Sequence, residues 1–369
     1  MSAVWKVALA HDWLNGMRGG ERCLDLICKE FPQAELYTLL YRPEQVSEAI
    51  RARRVHVSGL QRVPGFLNHY RWFLPLFPLA IESFRVPADV ELVLSTSHCV
   101  AKGLVPPKGA KHLCYCFTPM RYAWSLQEDY FGRNRIKRAA FDLALARLRK
   151  WDRAASARVD RFVAISQHVK ARIEKFYGRE AAVVYPPVAT RFFTPDARGG
   201  HDGYDLVVSA LVPYKRVDLA VRAYSRTGHP LKIAGAGTEL AALKALAAPN
   251  VEFLGRVPDE GVRELYRRCR FLVFPGEEDF GIVPLEAQAC GKPVLAFGQG
   301  GLLETVRAGK TGVFFDEQTP EALADAAARA EGIAWDAAAI RSHAEQFDER
   351  RFLEGLRAEI GRVREGPGR

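Results

Sequence analysis

Two carboxylates lie on either side of one predicted turn. The apolar run 271–274 is typical of a buried strand, and the string P-G-E-E-D-F-G-I-V-P-L-E follows it at 275–286. Gly291 has the position of a helix stop. In an open α/β sheet, ligands bind at the carboxyl ends of the strands. We therefore expect Glu278 on a loop in that crevice and Glu286 about one turn into the next helix.

The same turn predicts a phosphate site. The backbone N–H groups near Phe280, Gly281 and Ile282 would point out of the helix N-terminus. Such N–H groups, together with the helix dipole, favour anions. An ordinary capped helix with acids placed to suit the dipole would also have a glutamate near its start. The spacing of the two glutamates alone does not separate these interpretations.

Other predicted strands are followed by a cation pair and a histidine. Lys215 and Arg216 directly precede a predicted helix that runs to Tyr224. A cation beside a helix N-terminus suits a diphosphate. His98 ends the string S-T-S-H after the strand 92–94, where it is placed to meet a substrate. A lone histidine is more often a structural hydrogen-bonding group, so both interpretations stand for His98.

Two glycine turns would allow a ligand to approach the backbone. Gly19 and Gly20 follow the first predicted strand, and Gly235 and Gly237 follow a strand in the second half. A plain tight turn would have the same residues. The full dinucleotide fingerprint is missing after Gly237, which argues against a nicotinamide cofactor.

Longer strings carry a resemblance to a known family. E-D-F-G-I-V-P-L-E at 278–286 resembles the E-x7-E signature of family-4 retaining glycosyltransferases. Its form is especially similar to bacterial mannosyltransferases of O-antigen and exopolysaccharide synthesis. T-P-M-R-Y-A-W at 118–124 and L-V-P-Y-K-R at 211–216 resemble further strings of that group. The resemblance covers nearly the whole chain.

This resemblance implies the GT-B fold, in which two Rossmann-like domains face a central cleft. Each domain would be a doubly wound α/β layer with a parallel sheet. The alternation of predicted strands and helices independently indicates two such sheets.

The resemblance also implies roles for single residues. Glu278 would face the transferred sugar, and Glu286 would hold the ribose hydroxyls of the donor. His98 would contact the sugar or the acceptor, and Lys215 would bind the diphosphate. The expected catalytic residues are Glu278, His98 and Lys215.

Donor and acceptor binding would involve further residues of the matched strings. Arg121 can bind phosphate in a forked geometry, and the rings of Tyr122 and Trp124 suit the faces of an acceptor sugar. Val257 follows a strand where backbone groups would meet the nucleotide base. The expected donor-binding set is Gly19, Gly20, Arg121, Lys215, Arg216, Gly235, Gly237, Val257, Phe280, Gly281, Ile282 and Glu286.

Three positions depart from the family pattern. Ala210 stands where the family has an arginine that joins Lys215 on the diphosphate. Phe117 replaces a frequent histidine, and Ala189 replaces the usual aspartate. Arg216 or Arg121 would then supply the second positive charge.

The chain contains no D-x-D pair, which glycosyltransferases that hold a metal usually need. We therefore expect a reaction without metal or other cofactor. The resemblance implies retaining, front-face transfer of a hexose, mannose from GDP-mannose, to a hydroxyl of a growing lipid-linked polysaccharide. The alternatives are a GT-B enzyme that uses a UDP-sugar, a nucleotide-sugar epimerase, and a non-catalytic nucleotide-sugar-binding subunit of a glycan assembly complex.

A length of 369 residues predicts two domains. We expect an acceptor-side domain at 1–190, a linker at 191–203 and a donor domain at 204–349. The last predicted helix, 350–363, would pack back on the first domain. Hydrophobic and charged contents of 48% and 26% are ordinary for a globular protein.

The net charge of +10 suits either nucleic acid or anionic lipid and phosphate. No nucleic-acid motif is present, so nucleic acid is not an expected partner. The N-terminus has no signal-peptide pattern, and the seven cysteines form no C-x-x-C. These features indicate a reduced, cytoplasmic protein with peripheral contact to the anionic inner face of the membrane.

The segment 63–84 is rich in aromatic residues and contains Arg71. It predicts either a pair of core helices or an exposed surface. The exposed surface would be an acceptor groove or a membrane-docking face.

Overall fold

The computed structural model describes residues 5–124 and 135–366, with the backbone alone for 135–143. It contains two compact units. The first unit consists of Met1–Tyr185 and Phe352–Arg369, and the second consists of Pro186–Arg351.

The first unit is built on a seven-stranded sheet in which every pair of neighbouring strands is parallel. The strand order is β3-β2-β1-β4-β5-β6-β7. The strands are β1 (Val7–His11), β2 (Glu35–Thr38), β3 (Val55–Val57), β4 (Leu92–Ser97), β5 (Lys111–Cys116), β6 (Arg161–Ala164) and β7 (Ala181–Val183). The helices between them are α1 (Gly19–Glu30), α2 (Glu48–Arg51), α3 (Phe66–His69), α4 (Phe77–Glu82), α5 (Arg121–Trp124), α6 (Arg135–Ala157) and α7 (Gln167–Tyr177).

The second unit is built on a six-stranded sheet, again parallel throughout, in the order β10-β9-β8-β11-β12-β13. Its strands are β8 (Asp205–Val208), β9 (Leu231–Ala234), β10 (Val251–Gly255), β11 (Leu272–Phe274), β12 (Val294–Phe297) and β13 (Gly312–Phe315). Its helices are α8 (Val217–Thr227), α9 (Leu240–Leu246), α10 (Asp259–Arg268), α11 (Ile282–Ala289), α12 (Leu302–Thr305), α13 (Pro320–Glu331) and α14 (Ala337–Ala344). The last helix, α15 (Glu349–Glu365), enters the first unit from Phe352 onward.

Both sheets are doubly wound, as the sequence predicted. Strand order grows outward in both directions from one central pair, which is β1 and β4 in the first sheet and β8 and β11 in the second. Loops that leave the two central strands run to opposite sides, and a crevice opens between them at the carboxyl edge. The topology therefore defines one ligand-binding position in each unit.

Local signals in the sequence account for several helix ends. Ser166 caps α7 by accepting the backbone N–H of Val169 at 3.0 Å. Thr319 caps α13, and Pro320 occupies its first turn. Helix α11 ends at Ala289, and Gly291 adopts a positive φ of 78° just beyond it. Short-range chemistry is sufficient to fix these ends.

Residues 186–203, which include the predicted linker 191–203, belong to the second compact unit. The chain passes into that unit at 185/186. Arg341 donates to the carbonyls of Thr190 and Phe193 at 3.2 and 3.1 Å, and the buried Phe193 ring contacts Tyr266. The Gly and Asp content indicated a loop correctly, but the buried anchor at Phe193 holds that loop on the second unit.

The aromatic segment has two different sides. Phe66, Tyr70 and Phe77 are buried in the core of the first unit. Trp72 and Leu79, in contrast, are 79% and 69% exposed. Each of the two interpretations of the segment therefore describes one of its sides. Within the described ranges, every helix is too short or too polar to span a membrane.

Candidate functional site

One buried carboxylate organises the carboxyl edge of the first sheet. Asp12 directly follows β1, is fully buried, and accepts four backbone N–H groups from the loop after β4. The donors are His98 and Cys99 at 2.7 and 3.0 Å on Oδ2, and Val100 and Ala101 at 2.6 and 2.7 Å on Oδ1. Burial alone would raise the pKa of Asp12, but the neighbouring histidines and these N–H groups outweigh burial and lower it. The carboxylate thus fixes β1 to the loop that carries His98.

The side chain of His98 is oriented by the same carboxylate. Its Nδ1 lies 3.1 Å from Asp12 Oδ2, and Trp13 packs edge-on against the ring at 4.4 Å. Burial, together with the positive charges of Arg121 and Arg18, lowers the pKa of His98 despite the opposing effect of Asp12. The side chain is 30% exposed. His98 is therefore a neutral, fixed imidazole that remains open on one side.

A second histidine lies beside it. His11 is the last residue of β1, is buried, and contacts Thr96 Oγ1 through Nδ1 at 2.7 Å. Burial lowers its pKa to about 3. The rings of His11, His98 and Phe117 form a triangle in which each pair of centroids is 6.3 Å apart. Two neutral imidazoles thus face one apolar ring at the β1–β4 crevice.

The first glycine pair begins a helix instead of forming a loop. Gly19 and Gly20 are the first two residues of α1, whose start is fixed by a bond from the Arg18 backbone N–H to Glu21 at 3.1 Å. A Cβ on Gly20 would lie 3.2 Å from the Phe117 ring. Gly20 therefore keeps α1 close to the ring triangle.

A buried ion pair joins the loop after β4 to helix α6. Lys102 pairs with Asp152 and donates to the Cys99 carbonyl at 2.8 Å. The other oxygen of Asp152 accepts from Trp124 Nε1 and the Tyr177 hydroxyl, both at 2.8 Å. The loop after β4 and helix α5 are therefore tied to the same buried charges.

The predicted acceptor residues differ in what surrounds them. The Trp124 ring stacks on Phe176 at 4.8 Å and is flanked by Arg153 at 5.0 Å. Its indole therefore makes packing contacts inside the first unit. Tyr122 is partly buried against the core. Arg121, on the same short helix, is close enough to His98 to influence its pKa. Acceptor contact by Tyr122 and Trp124 remains a prediction.

In the second unit an ion pair lies at the β8–β11 crevice. Lys215 follows β8, Glu278 follows β11, and their side chains pair directly, both less than one-fifth exposed. Gly276 makes this approach possible, because a Cβ there would lie 2.9 Å from the Lys215 carbonyl oxygen. The structure therefore brings together two residues that are 63 positions apart in sequence.

The loop that carries Glu278 packs on the glycine turn after β12. The Gly301 N–H donates to the Glu278 carbonyl at 2.8 Å, and Glu278 forms an isolated parallel bridge with Gly300. Gly300 has a φ of 64°, and a Cβ on Gly301 would overlap Phe280. This turn needs glycine because the Glu278 backbone lies directly on it.

Arg216 has internal partners. It has a φ of 52°, the one positive φ of a non-glycine residue in the described ranges, and starts α8. Its guanidinium bonds Asp218 and Gln318, both at 3.2 Å, and Gln318 donates to the Pro275 carbonyl at 3.0 Å. Arg216 thus links the loop after β8 to the loop after β11.

The turn at Phe280 and Gly281 precedes a helix, and Glu286 lies on that helix, as the sequence predicted. Gly281 caps α11 with a φ of 100°, Ile282 is its first residue, and Phe280 is buried just before it. Glu286 is buried in the second turn of α11, where Oε2 accepts the Tyr266 hydroxyl at 3.1 Å. Helix α11 therefore presents its N-terminus at the same edge as Glu278.

The second glycine turn packs against the exit of β8. A Cβ on Gly235 would overlap the Ser209 carbonyl oxygen, and one on Gly237 would overlap the Leu211 carbonyl oxygen. Ala210, between those two residues, is exposed. Val257 follows β10 and packs against Gly261. Ala210 is therefore an exposed residue at the exit of β8, between two residues on which the glycine turn packs.

The described residues contain no group of three or more His, Cys, Asp or Glu side chains that could hold a metal ion. Lys215 and Arg216 are two cations on the loop after β8, at the second-unit crevice. Anion binding there would depend on these side chains and on backbone N–H groups.

Sequence reasoning did not identify three residues of the first crevice. His11, Asp12 and Thr96 carry its hydrogen-bond network, but their partners lie 85–89 positions away. The signal was present, since an acid directly after a buried parallel strand lies at the ligand-binding edge.

Solved structures share this architecture. HepE of Anabaena, solved with UDP and glucose, is 17% identical and aligns over 97% of this chain and 100% of its own, with a TM-score of 0.68. Sucrose-phosphate synthase of Thermosynechococcus elongatus is 16% identical and aligns over 97% and 99%, with a TM-score of 0.73. With the two doubly wound parallel sheets, these likenesses define the GT-B fold.

Two family models match the sequence. The model for Glycosyltransferase Family 4 matches residues 17–192, and the model for Glycosyl transferases group 1 matches residues 198–346. The two matches together span most of both units, and they support a glycosyltransferase with the GT-B fold.

Curated relatives match over part of their length. A D-inositol 3-phosphate glycosyltransferase of Acidothermus cellulolyticus is 34% identical over 54% of this chain and 52% of its own. A GDP-mannose-dependent alpha-(1-6)-phosphatidylinositol monomannoside mannosyltransferase of Mycolicibacterium smegmatis is 32% identical over 44% of this chain and 50% of its own. The chain spans about half the length of these relatives.

We predict that Asp12→Asn destabilises the protein, because an amide can accept at one oxygen only and leaves two of the four N–H groups without an acceptor. A buried N–H without a partner costs about 1–3 kcal/mol, so the expected loss is about 2–6 kcal/mol of unfolding free energy. Urea unfolding at pH 7 measures it. Asp89→Asn is the matched control, since Asp89 is exposed and pairs with Lys6 on the surface.

The pH dependence follows from the lowered pKa. Because the folded-state pKa of Asp12 lies below its ordinary value of 3.8, its contribution is present above that pH and is lost as the pH falls through the folded-state value. The difference between the wild type and Asp12→Asn should therefore shrink in acid. A difference that persists unchanged at low pH, or an equal loss in the control, would contradict the role of Asp12.

Proposed function

We propose that the chain is a retaining, metal-independent hexosyltransferase that moves mannose from GDP-mannose to a hydroxyl of a lipid-linked glycan. One observation carries the proposal. The expected reactive side chains, Lys215 and Glu278 in the second unit and His98 in the first, follow the central strand pair of their sheet. These are the positions at which doubly wound sheets bind ligands.

The Lys215–Glu278 pair matches the charge separation of glycosyl transfer. Breaking the bond between the sugar and the diphosphate leaves positive charge on the sugar and negative charge on the leaving group. A bound donor would replace the pair's mutual contact, with Lys215 on the diphosphate and Glu278 facing the oxocarbenium-like sugar. Groups fixed before the reaction stabilise such charges most effectively.

The other donor contacts follow from the second crevice. Glu286 would hold the ribose hydroxyls, and the N–H groups at Gly281 and Ile282 would bind phosphate. Backbone groups near Gly235 and Val257 would meet the nucleotide. Arg216 and Arg121 are the cations proposed to offset the absence of arginine at position 210. No cofactor takes part in this scheme.

The choice of mannose rests on relatives. The Mycolicibacterium smegmatis protein is named as GDP-mannose-dependent. HepE was solved with UDP and glucose, which supports a UDP-sugar as the second candidate donor. The exposed Ala210 favours a third possibility, a subunit that binds a nucleotide sugar without turnover.

A lipid-linked acceptor is supported by one surface of the first unit. The apolar face consists of Val63, Leu67, Trp72, Leu76 and Leu79, which are 37–79% exposed. Arg62 and Arg71 are exposed in the same segment, and the sequence 59–81 contains no Asp or Glu. Tryptophan favours the membrane interface, and each basic residue near anionic lipid contributes about 1 kcal/mol. We propose that this face contacts the anionic inner surface of the cytoplasmic membrane.

A cavity of about 560 Å³ opens beside the apolar face. Arg42 and Arg62 line it together with Gln61 and Asn68, and Glu44 is the acid of its lining. Guanidinium groups bind phosphate well. The cavity therefore suits the phosphate of a lipid-linked acceptor whose chain lies against the apolar face.

We predict that Glu278→Gln lowers the release of GDP from GDP-mannose by about 10²–10³-fold, because a preorganised charge facing the transition state is lost. Water and added mannosides serve as acceptors in this assay. Glu277→Gln is the matched control, since Glu277 is the exposed neighbour in the same loop and should keep turnover within about twofold of the wild type.

If Glu278→Gln turned over the donor at the wild-type rate, Glu278 would not be a catalytic residue. Release of UDP from UDP-glucose, with none of GDP from GDP-mannose, would change the donor and keep the mechanism. Donor binding by the wild type without any release would favour the non-catalytic subunit.

The second prediction concerns the apolar face. The wild type should sediment with vesicles containing phosphatidylglycerol and less with pure phosphatidylcholine, and salt should weaken this binding. The double variant Trp72→Ser/Leu79→Ser should lose most of it. Leu303→Ser is the control, because Leu303 is 58% exposed in the second unit. Equal sedimentation of the double variant, or a face used for self-association in solution, would refute membrane contact.

A further inference from the structure

His11 lies at the crevice of the first sheet but has no place in the chemistry described so far. It ends β1, next to β4, and its side chain is 1% exposed. Its Nδ1 is 2.7 Å from Thr96 Oγ1 on β4. The remaining ring nitrogen, Nε2, is buried and has no hydrogen-bond partner among the described residues.

The position of one hydrogen fixes the tautomer of His11. Thr96 Oγ1 donates its hydrogen to the Ala10 carbonyl oxygen at 3.1 Å. Thr96 therefore has only lone pairs left for His11. It follows that Nδ1 carries the ring hydrogen of His11 and donates it to Thr96, and that Nε2 carries a lone pair.

Protonation does not satisfy Nε2. Burial lowers the pKa of His11 to about 3, so the ring stays neutral under ordinary conditions. A buried acceptor without a partner is unfavourable, and such groups in native proteins call for a specific explanation. Nε2 requires a partner that brings an O–H or N–H.

His98 presents the same kind of atom. Asp12 is an acceptor only, so Nδ1 of His98 donates to it and Nε2 of His98 also carries a lone pair. The two rings lie 6.3 Å apart, each 6.3 Å from Phe117. Gly20 packs closely on this group of rings, since a Cβ there would lie 3.2 Å from the Phe117 ring and 3.7 Å from His11 Cε1.

This combination has a definite chemical complement. Two neutral acceptors bind hydroxyl hydrogens, and an apolar ring packs on C–H groups. A sugar offers both, with hydroxyls at its edge and C–H groups on its faces. A phosphate or carboxylate offers only acceptors and would repel the Nε2 lone pairs.

We propose that His11 is a specificity-determining residue whose Nε2 accepts a hydrogen bond from a sugar hydroxyl bound at the β1–β4 crevice. The proposal rests on the proposed glycosyltransferase function. The hydroxyl belongs either to the transferred sugar or to the acceptor sugar, and the experiment separates these sources.

The test is nitrogen NMR of the full-length protein labelled with ¹⁵N-histidine. His11→Phe assigns the His11 signals among the nine histidines. In the free protein we expect Nδ1 of His11 to be protonated and Nε2 to be unprotonated. The Nε2 signal should shift with GDP-mannose or UDP-glucose if the transferred sugar binds there, and with free mannose or glucose if the acceptor sugar does. GDP and UDP alone should leave it unchanged.

Two results would overturn the inference. One is a protonated Nε2 in the free protein. The other is an Nε2 signal that no sugar-bearing ligand moves, whether or not a nucleotide binds. Failure of the proposed function has a different signature, namely no binding and no consumption of any nucleotide sugar while free sugars still shift His11.

Variants separate binding from packing. His11→Phe keeps an aromatic ring and removes the acceptor, and should raise the KM of the sugar-bearing substrate about 5- to 100-fold with a smaller change in kcat. His11→Gln can restore an acceptor and should recover part of that loss. Thr96→Val leaves the ring but frees its tautomer, so a protonated Nε2 should become detectable. Equal KM values in His11→Phe and the wild type would contradict the role.

Discussion

The Asp12 carboxylate is the contact on which the first unit's crevice depends. Four successive backbone N–H groups, from His98 to Ala101, converge on its two oxygens while His98 Nδ1 adds a fifth contact. A buried carboxylate is costly unless it is bonded this completely. The same bonds fix the loop after β4, orient His98 and place its ring beside His11. Folding and site geometry are therefore set by one group.

The second unit uses the opposite arrangement. Where Asp12 is saturated by permanent partners, Lys215 and Glu278 are held as an ion pair on glycine-rich loops that leave them partly exposed. Such a pair can exchange its mutual contact for a ligand that presents both charges. The backbone around it is rigidly specified, because Gly276, Gly300 and Gly301 have no room for a side chain. An ion pair that can be exchanged for a ligand, held on a fixed backbone, suits a site for a charged ligand.

Much of the fold could be predicted from short-range patterns. The apolar run 271–274 predicted β11 to within one residue, and the helix stop predicted at Gly291 lies just beyond the end of α11. The string around Glu278 and Glu286 also placed both acids correctly on a loop and on a helix. These features depend on neighbours in sequence.

What escaped prediction depends on distant partners. The role of Asp12 is set by N–H groups 86–89 positions away, and the tautomer of His11 by Thr96. Arg341 and Tyr266, which are distant in sequence, hold Thr190 and Phe193 on the second unit. The partners of Trp124 are distant in sequence as well, since Asp152 accepts from its Nε1 and Phe176 stacks on its ring. No local pattern contains this information.

The most direct test of the central claim is a thermal-shift panel with GDP, UDP, ADP, GDP-mannose and common UDP-sugars in the presence of EDTA. The account predicts that GDP and GDP-mannose raise the melting temperature without metal, since a ligand at about 100 times its Kd stabilises the folded state by about 2.7 kcal/mol. Lys215→Met should abolish that shift. A panel in which no nucleotide shifts the wild type, or in which every shift requires a divalent metal, would contradict the account.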